Sequence, residues 1–147
     1  MADVLHTNPS DWKYVSEGGA TIVFSYAGPS HSIFDGTVLR LRKISAGLSR
    51  QQNHAQSESE FGDDERDDPT IEFQSKCIER LISPRYLPRL ESVVLNRPWL
   101  EALVALYDFV RPVERKEKDA IDLERKRGVL ATDLVGGNWL AVEIKVS

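Results

Sequence analysis

A single cysteine, Cys77, stands among 147 residues, which excludes a disulfide scaffold and leaves too few thiolates for a zinc ribbon or finger. The three histidines, His6, His31 and His54, are scattered without ligand spacing and read as solvent-exposed loop or terminus residues. No apolar run approaches the roughly 18 residues of a membrane span. The stretch from Met1 to Lys13 lacks the basic start and apolar centre of a secretory leader. An intracellular, reducing compartment is the expectation. Neither Gly-x-x-x-x-Gly-Lys-Ser/Thr nor Gly-x-Ser-x-Gly occurs, which removes a Walker-type nucleotide site and a hydrolase nucleophile elbow. Basic charge is in deficit, 19 Lys and Arg against 23 Asp and Glu, so a large basic surface for nucleic acid is not expected. A local phosphate pocket stays compatible with that balance.

What is present is an ordinary globular composition, 41% hydrophobic and 29% charged, at a length that predicts one folding unit over 1–147. The acids are concentrated: residues 58–68 hold seven acids and one arginine, and outside that block 18 basic face 16 acidic residues. The segment 45–68 contains only two large apolar residues, Leu48 and Phe61, too few to offset its ordering entropy. It reads as a mobile, disordered acidic insert, either a solvated loop or a docking tail.

Before the insert the pattern is extended. Trp12 to Val15 and Thr21 to Tyr26 are rich in aromatic and β-branched residues, and Glu17-Gly18-Gly19-Ala20 between them supplies turn chemistry, which predicts a hairpin. Thr37 to Lys43 predicts a third strand whose Val38, Arg40 and Arg42 alternate with Leu39 and Leu41. After the insert, Ile71, Phe73, Cys77, Ile78, Leu81 and Ile82 recur at helical spacing, with Cys77 as a small core residue on the buried stripe. Asn96-Arg97-Pro98 starts a second helix burying Leu100, Leu103, Val104 and Tyr107, and Arg111-Pro112 closes it. Leu87 to Leu95 reads as partly extended, 113–127 as a charged loop or exposed helix, and 128–135 as β again. In the last segment Leu140, Val142, Ile144 and Val146 face the core, leaving Trp139, Ala141, Glu143 and Lys145 to line a cleft. The class is α+β, an antiparallel sheet of about five strands with two or more helices.

Glycines between two strands let backbone amides approach a polyphosphate, because no side chain blocks the way, although most Gly-Gly pairs simply make turns. Arg40 is either an exposed strand arginine or a phosphate ligand, since a guanidinium donates two parallel hydrogen bonds to phosphate oxygens. Glu143 and Lys145, two residues apart, share a strand face and either pair in solvent or share a ligand.

In order, Trp12-Lys13-Tyr14, Glu17-Gly18-Gly19-Ala20-Thr21-Ile22-Val23-Phe24, Val38-Leu39-Arg40-Leu41-Arg42-Lys43 and Leu140-Ala141-Val142-Glu143-Ile144-Lys145 resemble the N-terminal lobe of inositol-pentakisphosphate 2-kinases, most closely fungal forms. The likeness spans almost the whole chain outside the acidic insert. It implies a kinase-like N-lobe and transfer of the ATP γ-phosphate to the 2-hydroxyl of inositol 1,3,4,5,6-pentakisphosphate, giving inositol hexakisphosphate, or phytate. ATP and Mg²⁺ are the implied cofactors. The further expectation is an intracellular monomer, in the nucleus and/or cytoplasm, with no nucleic-acid or membrane partner. Gly18, Gly19, Ala20 and Thr21 would cover the nucleotide, by backbone at Thr21, where family members often carry Asn. Arg40 would contact the ATP phosphates, Thr132, Asp133 and Leu134 the adenine through main-chain groups, and Glu143 and Lys145 would line the nucleotide site. Arg115 would reach an inositol phosphate. The family pattern continues past Lys145 with Pro and a second Lys, whereas Val146 and Ser147 follow here. The larger C-terminal lobe, with the base and the magnesium ligands, is therefore expected to be absent and the isolated chain to lack activity. A binding or interaction module that retains the lobe fold, using the cleft face or the acidic insert, is the alternative.

Overall fold

A computed structural model of the chain describes residues 2–45, 68–83 and 87–133. The expected insert, apart from its end residues Ser45 and Asp68, lies outside the described residues, as do His54 and the last strand from Trp139 to Val146.

The predicted hairpin forms from β2 (Trp12–Glu17) and β3 (Thr21–Tyr26), joined through the glycine turn, and β4 (Thr37–Ser45) lies antiparallel to β3. Two further strands, β5 (Leu90–Val94) and β7 (Arg127–Thr132), extend the sheet in the order β5-β7-β4-β3-β2, all antiparallel. A two-residue strand, β1 (Ala2–Asp3), adds to the β5 edge in parallel, and β6 (Asp119–Ile121) pairs with the far end of β4. The α+β reading stands; the short β1 and β6, below the length at which alternation is visible, bring the sheet to seven strands among the described residues.

Alternation sorts the two sheet faces. Ile22, Phe24, Leu39, Leu41 and Leu130 point to one side and are buried together. Helix α2 (Arg97–Tyr107) closes this core with Trp99, Leu100 and Leu103. Asn96 caps it by accepting from the Trp99 amide at 2.9 Å, and Pro98 occupies its first turn, where a missing N–H costs nothing. Leu100 and Leu103 are fully buried, each contributing on the order of 2 kcal/mol. The chain ahead of β2 is stitched to the same core: Val4 is fully buried, the Trp12 indole donates to Thr7 Oγ1 at 2.9 Å, and the Trp99 indole donates to the Thr7 carbonyl at 3.0 Å.

The first predicted helix is corrected. Helix α1 spans only Pro69–Phe73 and passes into a π-turn over Gln74–Ile78, in which the Glu79 amide reaches the Gln74 carbonyl at 2.9 Å. The wider turn breaks the three-and-four spacing of the apolar stripe. Cys77 is exposed, not a core residue, and Phe73, Leu81 and Ile82 are exposed with it. Between α2 and β6, helix α3 (Val113–Lys118) occupies the start of the charged section.

Candidate functional site

Directly opposite residues on neighbouring strands share a face, so the register places Thr21 and Val23 of β3, Arg40 and Arg42 of β4, and Val129 of β7 together on the side away from α2. Arg42 is engaged there: its Nε and Nη2 donate to the two carboxylate oxygens of Asp68 at 2.6 and 2.8 Å. Arg40, half-buried between Val23 and Val129, has no hydrogen-bond or ion-pair partner among the described residues. One guanidinium of the pair is structurally occupied and the other is available.

The glycine turn lies at the Arg42 end of this face. The Gly18 amide donates to the Thr21 carbonyl at 2.9 Å, and the Ala20 carbonyl accepts from the Lys43 amide at 3.0 Å. Gly19 and Ala20 are exposed, and their amides donate to no backbone acceptor among the described residues. A Cβ at Gly18 or Gly19 would meet nothing within 4 Å, and neither residue has a positive φ. The contrast within the chain is sharp: Gly36 sits at φ 69°, and a Cβ at Gly28 would stand 2.7 Å from the Asp11 side chain. Gly28 and Gly36 serve the fold, whereas at Gly18 and Gly19 neither a close neighbour nor a positive φ calls for glycine.

At the opposite end of β4, Thr132 faces Thr37. The Thr132 amide donates to the Arg89 carbonyl at 3.1 Å, its Oγ1 accepts from the Arg89 amide at 3.0 Å, and the Asp133 amide donates to the Gly36 carbonyl at 2.9 Å. Both amides are thus committed to the sheet and its turn. From Thr37 to Arg40 is three residues, roughly 10 Å of strand, and the glycine turn begins about 7 Å farther on. Leu134, Glu143 and Lys145 lie outside the described residues.

Behind the turn, on the core face, is a cluster that the sequence did not announce. The register of β2 slips between Tyr14 and Ser16, making Val15 a bulge, and the slip brings Glu17 opposite Ile22. One extra residue reverses the alternation, so Glu17 points into the core instead of outward. There Arg111 donates to it through Nε at 2.9 Å and Nη2 at 3.0 Å, and Lys43 Nζ donates at 3.1 Å. Tyr14 adds its hydroxyl at 3.2 Å. Asp119 closes the set, accepting from Lys43 at 3.0 Å and from Arg111 at 3.1 Å. The side chains of Lys43, Glu17 and Arg111 are 1%, 2% and 5% exposed. The Arg111 hydrogen bonds, aided by Lys43, outweigh burial and hold the Glu17 carboxyl at about 2. From sequence, Glu17 reads as a turn residue and Arg111 as a helix stop. Partners 94 positions apart leave no local signal.

Arg115, on α3, reaches the turn itself: its Nη1 donates to the Gly18 carbonyl at 3.3 Å. Among the described residues no three His, Cys, Asp or Glu side chains converge as a metal ligand set, and no helix is long and apolar enough to cross a membrane.

Comparison with known proteins bears on this arrangement. The family model described as inositol-pentakisphosphate 2-kinase matches residues 14–145. Proteins named inositol-pentakisphosphate 2-kinase from two strains of Cryptococcus neoformans var. neoformans serotype D, JEC21 and B-3501A, are each 36% identical over 147 residues, covering 95% of this chain and 32% of theirs. One of the same name from Arabidopsis thaliana is 24% identical over 159 residues, covering 92% of this chain and 35% of its own. The chain thus spans about a third of the length of the curated relatives it matches. With the motif order, the sheet and a match across nearly its whole length in agreement, the chain belongs to the inositol-pentakisphosphate 2-kinase family.

Proposed function

We propose that this chain is the nucleotide-binding lobe of an ATP-dependent inositol-pentakisphosphate 2-kinase, taking ATP along the outer face of β3, β4 and β7. The observation that carries the reading is the pair Gly18 and Gly19: the fold has no steric or conformational need for glycine at either position, yet the turn offers two open amides. Amides unobstructed by side chains suit phosphate oxygens.

In this reading the parts follow the order of the ligand. The adenine lies toward Thr132, Asp133 and Leu134, where the amides of Thr132 and Asp133 are already bonded and carbonyls are the groups suited to an exocyclic amine. Arg40, without a side-chain partner among the described residues and flanked in register by Val23 and Val129, takes the phosphates in mid-strand with a two-pronged charge-assisted contact. Gly19 and Ala20 cover their far end, with Thr21 entering β3 by its backbone. Glu143 and Lys145 are proposed to complete the lining. Arg115, already beside the turn, is the residue proposed to meet an inositol phosphate.

Phosphoryl transfer relies on positioning and on charge neutralisation at the attacking and leaving oxygens. This lobe supplies positioning and cationic donors. For magnesium, which the resemblance implies, no cluster of three or more His, Cys, Asp or Glu side chains stands ready among the described residues. The polypeptide is proposed to bind nucleotide without turning over on its own.

Calorimetry tests the reading: ATP and inositol pentakisphosphate are titrated separately into the chain and into Arg40→Ala. A nucleotide heat that Arg40→Ala abolishes supports it. Silence toward both ligands favours a non-catalytic interaction module, and hexakisphosphate production by the pure chain with ATP and magnesium contradicts the inactive-lobe proposal.

A further inference from the structure

Building on the nucleotide reading of the glycine turn, we infer that Glu17 is a positioning residue: Glu17, Arg111, Lys43 and Asp119 form a charge clasp that fixes where the Gly19 and Ala20 amides stand, without touching the nucleotide.

The turn itself has little to hold it. Gly18, Gly19 and Ala20 are exposed, and nothing lies within 4 Å of where a Cβ would stand on either glycine. Its internal restraint is one hydrogen bond, from the Gly18 amide to the Thr21 carbonyl, and β4 adds one more, from the Lys43 amide to the Ala20 carbonyl. A turn so free would lose affinity to ordering when a ligand arrived.

The clasp removes that freedom one residue upstream. The Val15 bulge turns Glu17 inward, and three separate elements converge there: Lys43 from β4, Arg111 from the link between α2 and α3, and Asp119 from β6. Helix α3, which follows that link, delivers Arg115 to the Gly18 carbonyl, so the turn is gripped by the side chain before it and by its own backbone. Two cations and two anions balance within the cluster. A buried ion cluster is a poor source of stability, since well-packed apolar residues of similar volume often serve as well or better. What apolar packing does not provide is direction, and a fork-to-carboxylate contact sets both the distance and the plane of the strand end.

The experiment separates direction from stability. Glu17→Gln alone leaves two buried cations facing Asp119 and, 3.8 Å from Arg111, the half-exposed Asp108, and destabilises the fold. The double variant Glu17→Met/Arg111→Met removes one charge of each sign, fills the space, and leaves Lys43 paired with Asp119. Backbone order parameters at Gly18, Gly19 and Ala20 are measured by ¹⁵N relaxation on the whole chain without nucleotide, alongside its melting curve. The expected result is a melt close to wild type, with order parameters falling from the rigid range near 0.85 to below about 0.6. Calorimetry on the same proteins is expected to show ATP Kd rising about tenfold. Unchanged order parameters in the folded double variant, or an unchanged Kd despite a loosened turn, overturn the inference. A wild-type chain that gives no ATP heat defeats the nucleotide reading and with it the consequence for affinity, while the order parameters still judge the clasp.

Discussion

Arg42 and Asp68 stand 26 residues apart and meet fork to fork, Nε to Oδ2 at 2.6 Å and Nη2 to Oδ1 at 2.8 Å. Asp68 also caps α1 by accepting from the Thr70 amide at 2.9 Å. The pair therefore ties β4 to the first residues after the acidic segment. Arg42→Ala is expected to cost about 2 kcal/mol, a Tm lower by roughly 4–8 °C in a melting experiment, with Arg42→Lys recovering little because a point charge does not reproduce the fork. A Tm within one degree of wild type would remove the pair from the fold's support.

Acid should weaken the molecule through two carboxylates. Glu17 is held at about 2 by Arg111, against burial and with help from Lys43. At Asp68 burial pushes upward, but the Arg42 and Thr70 hydrogen bonds prevail and bring it to about 2. Both are ionised in the folded chain below the pH at which the unfolded chain takes up protons, near 4.5 and 3.8. Their stabilisation is therefore complete above about 4.5 and lost as pH falls toward 2, with Glu17 contributing on the order of 3 kcal/mol. Urea midpoints collected between pH 7 and pH 2.5 should be level at first and fall below pH 4.5; a midpoint level down to pH 3 contradicts the assignment.

Alanine at Gly18 and Gly19 separates folding from binding. Neither position has a positive φ or a neighbour to clash with, so the double replacement should leave stability unchanged or raise it by about 0.5 kcal/mol through the unfolded chain. Two methyls on the approach to the open amides should weaken ATP by tenfold or more, read by calorimetry. Alanine at Gly36, where φ is 69°, should do the reverse and lower Tm with nucleotide affinity intact.

Arg40→Ala removes a side chain with no partner among the described residues and should change unfolding free energy by less than about 0.5 kcal/mol. Losing a charge-assisted contact to phosphate should raise the ATP Kd by roughly 10- to 100-fold. Loss of stability without loss of nucleotide would make Arg40 a scaffold residue.

The hairpin, β4 and α2 were legible because each carries its own period: alternation in Thr21–Tyr26 and Thr37 to Lys43, and a capped stripe through Leu100, Leu103, Val104 and Tyr107. Alternation also separated Arg40 from Leu39 and Leu41. The stripe from Ile71 to Ile82 misled because spacing registers apolarity without registering a surface to pack on, and the π-turn interrupts it. The Glu17 cluster was illegible for a different reason. Its direction depends on a one-residue bulge at Val15, and its partners come from three other elements, so no window of sequence contains it.

Both oxygens of Thr7 are claimed by indoles, one from the hairpin and one from the helix across the core. The leading segment therefore acts as a peg that registers two chromophores at once. Any handle fused ahead of Ala2 that levers Val4 from its socket would reveal itself optically, as a red-shifted emission.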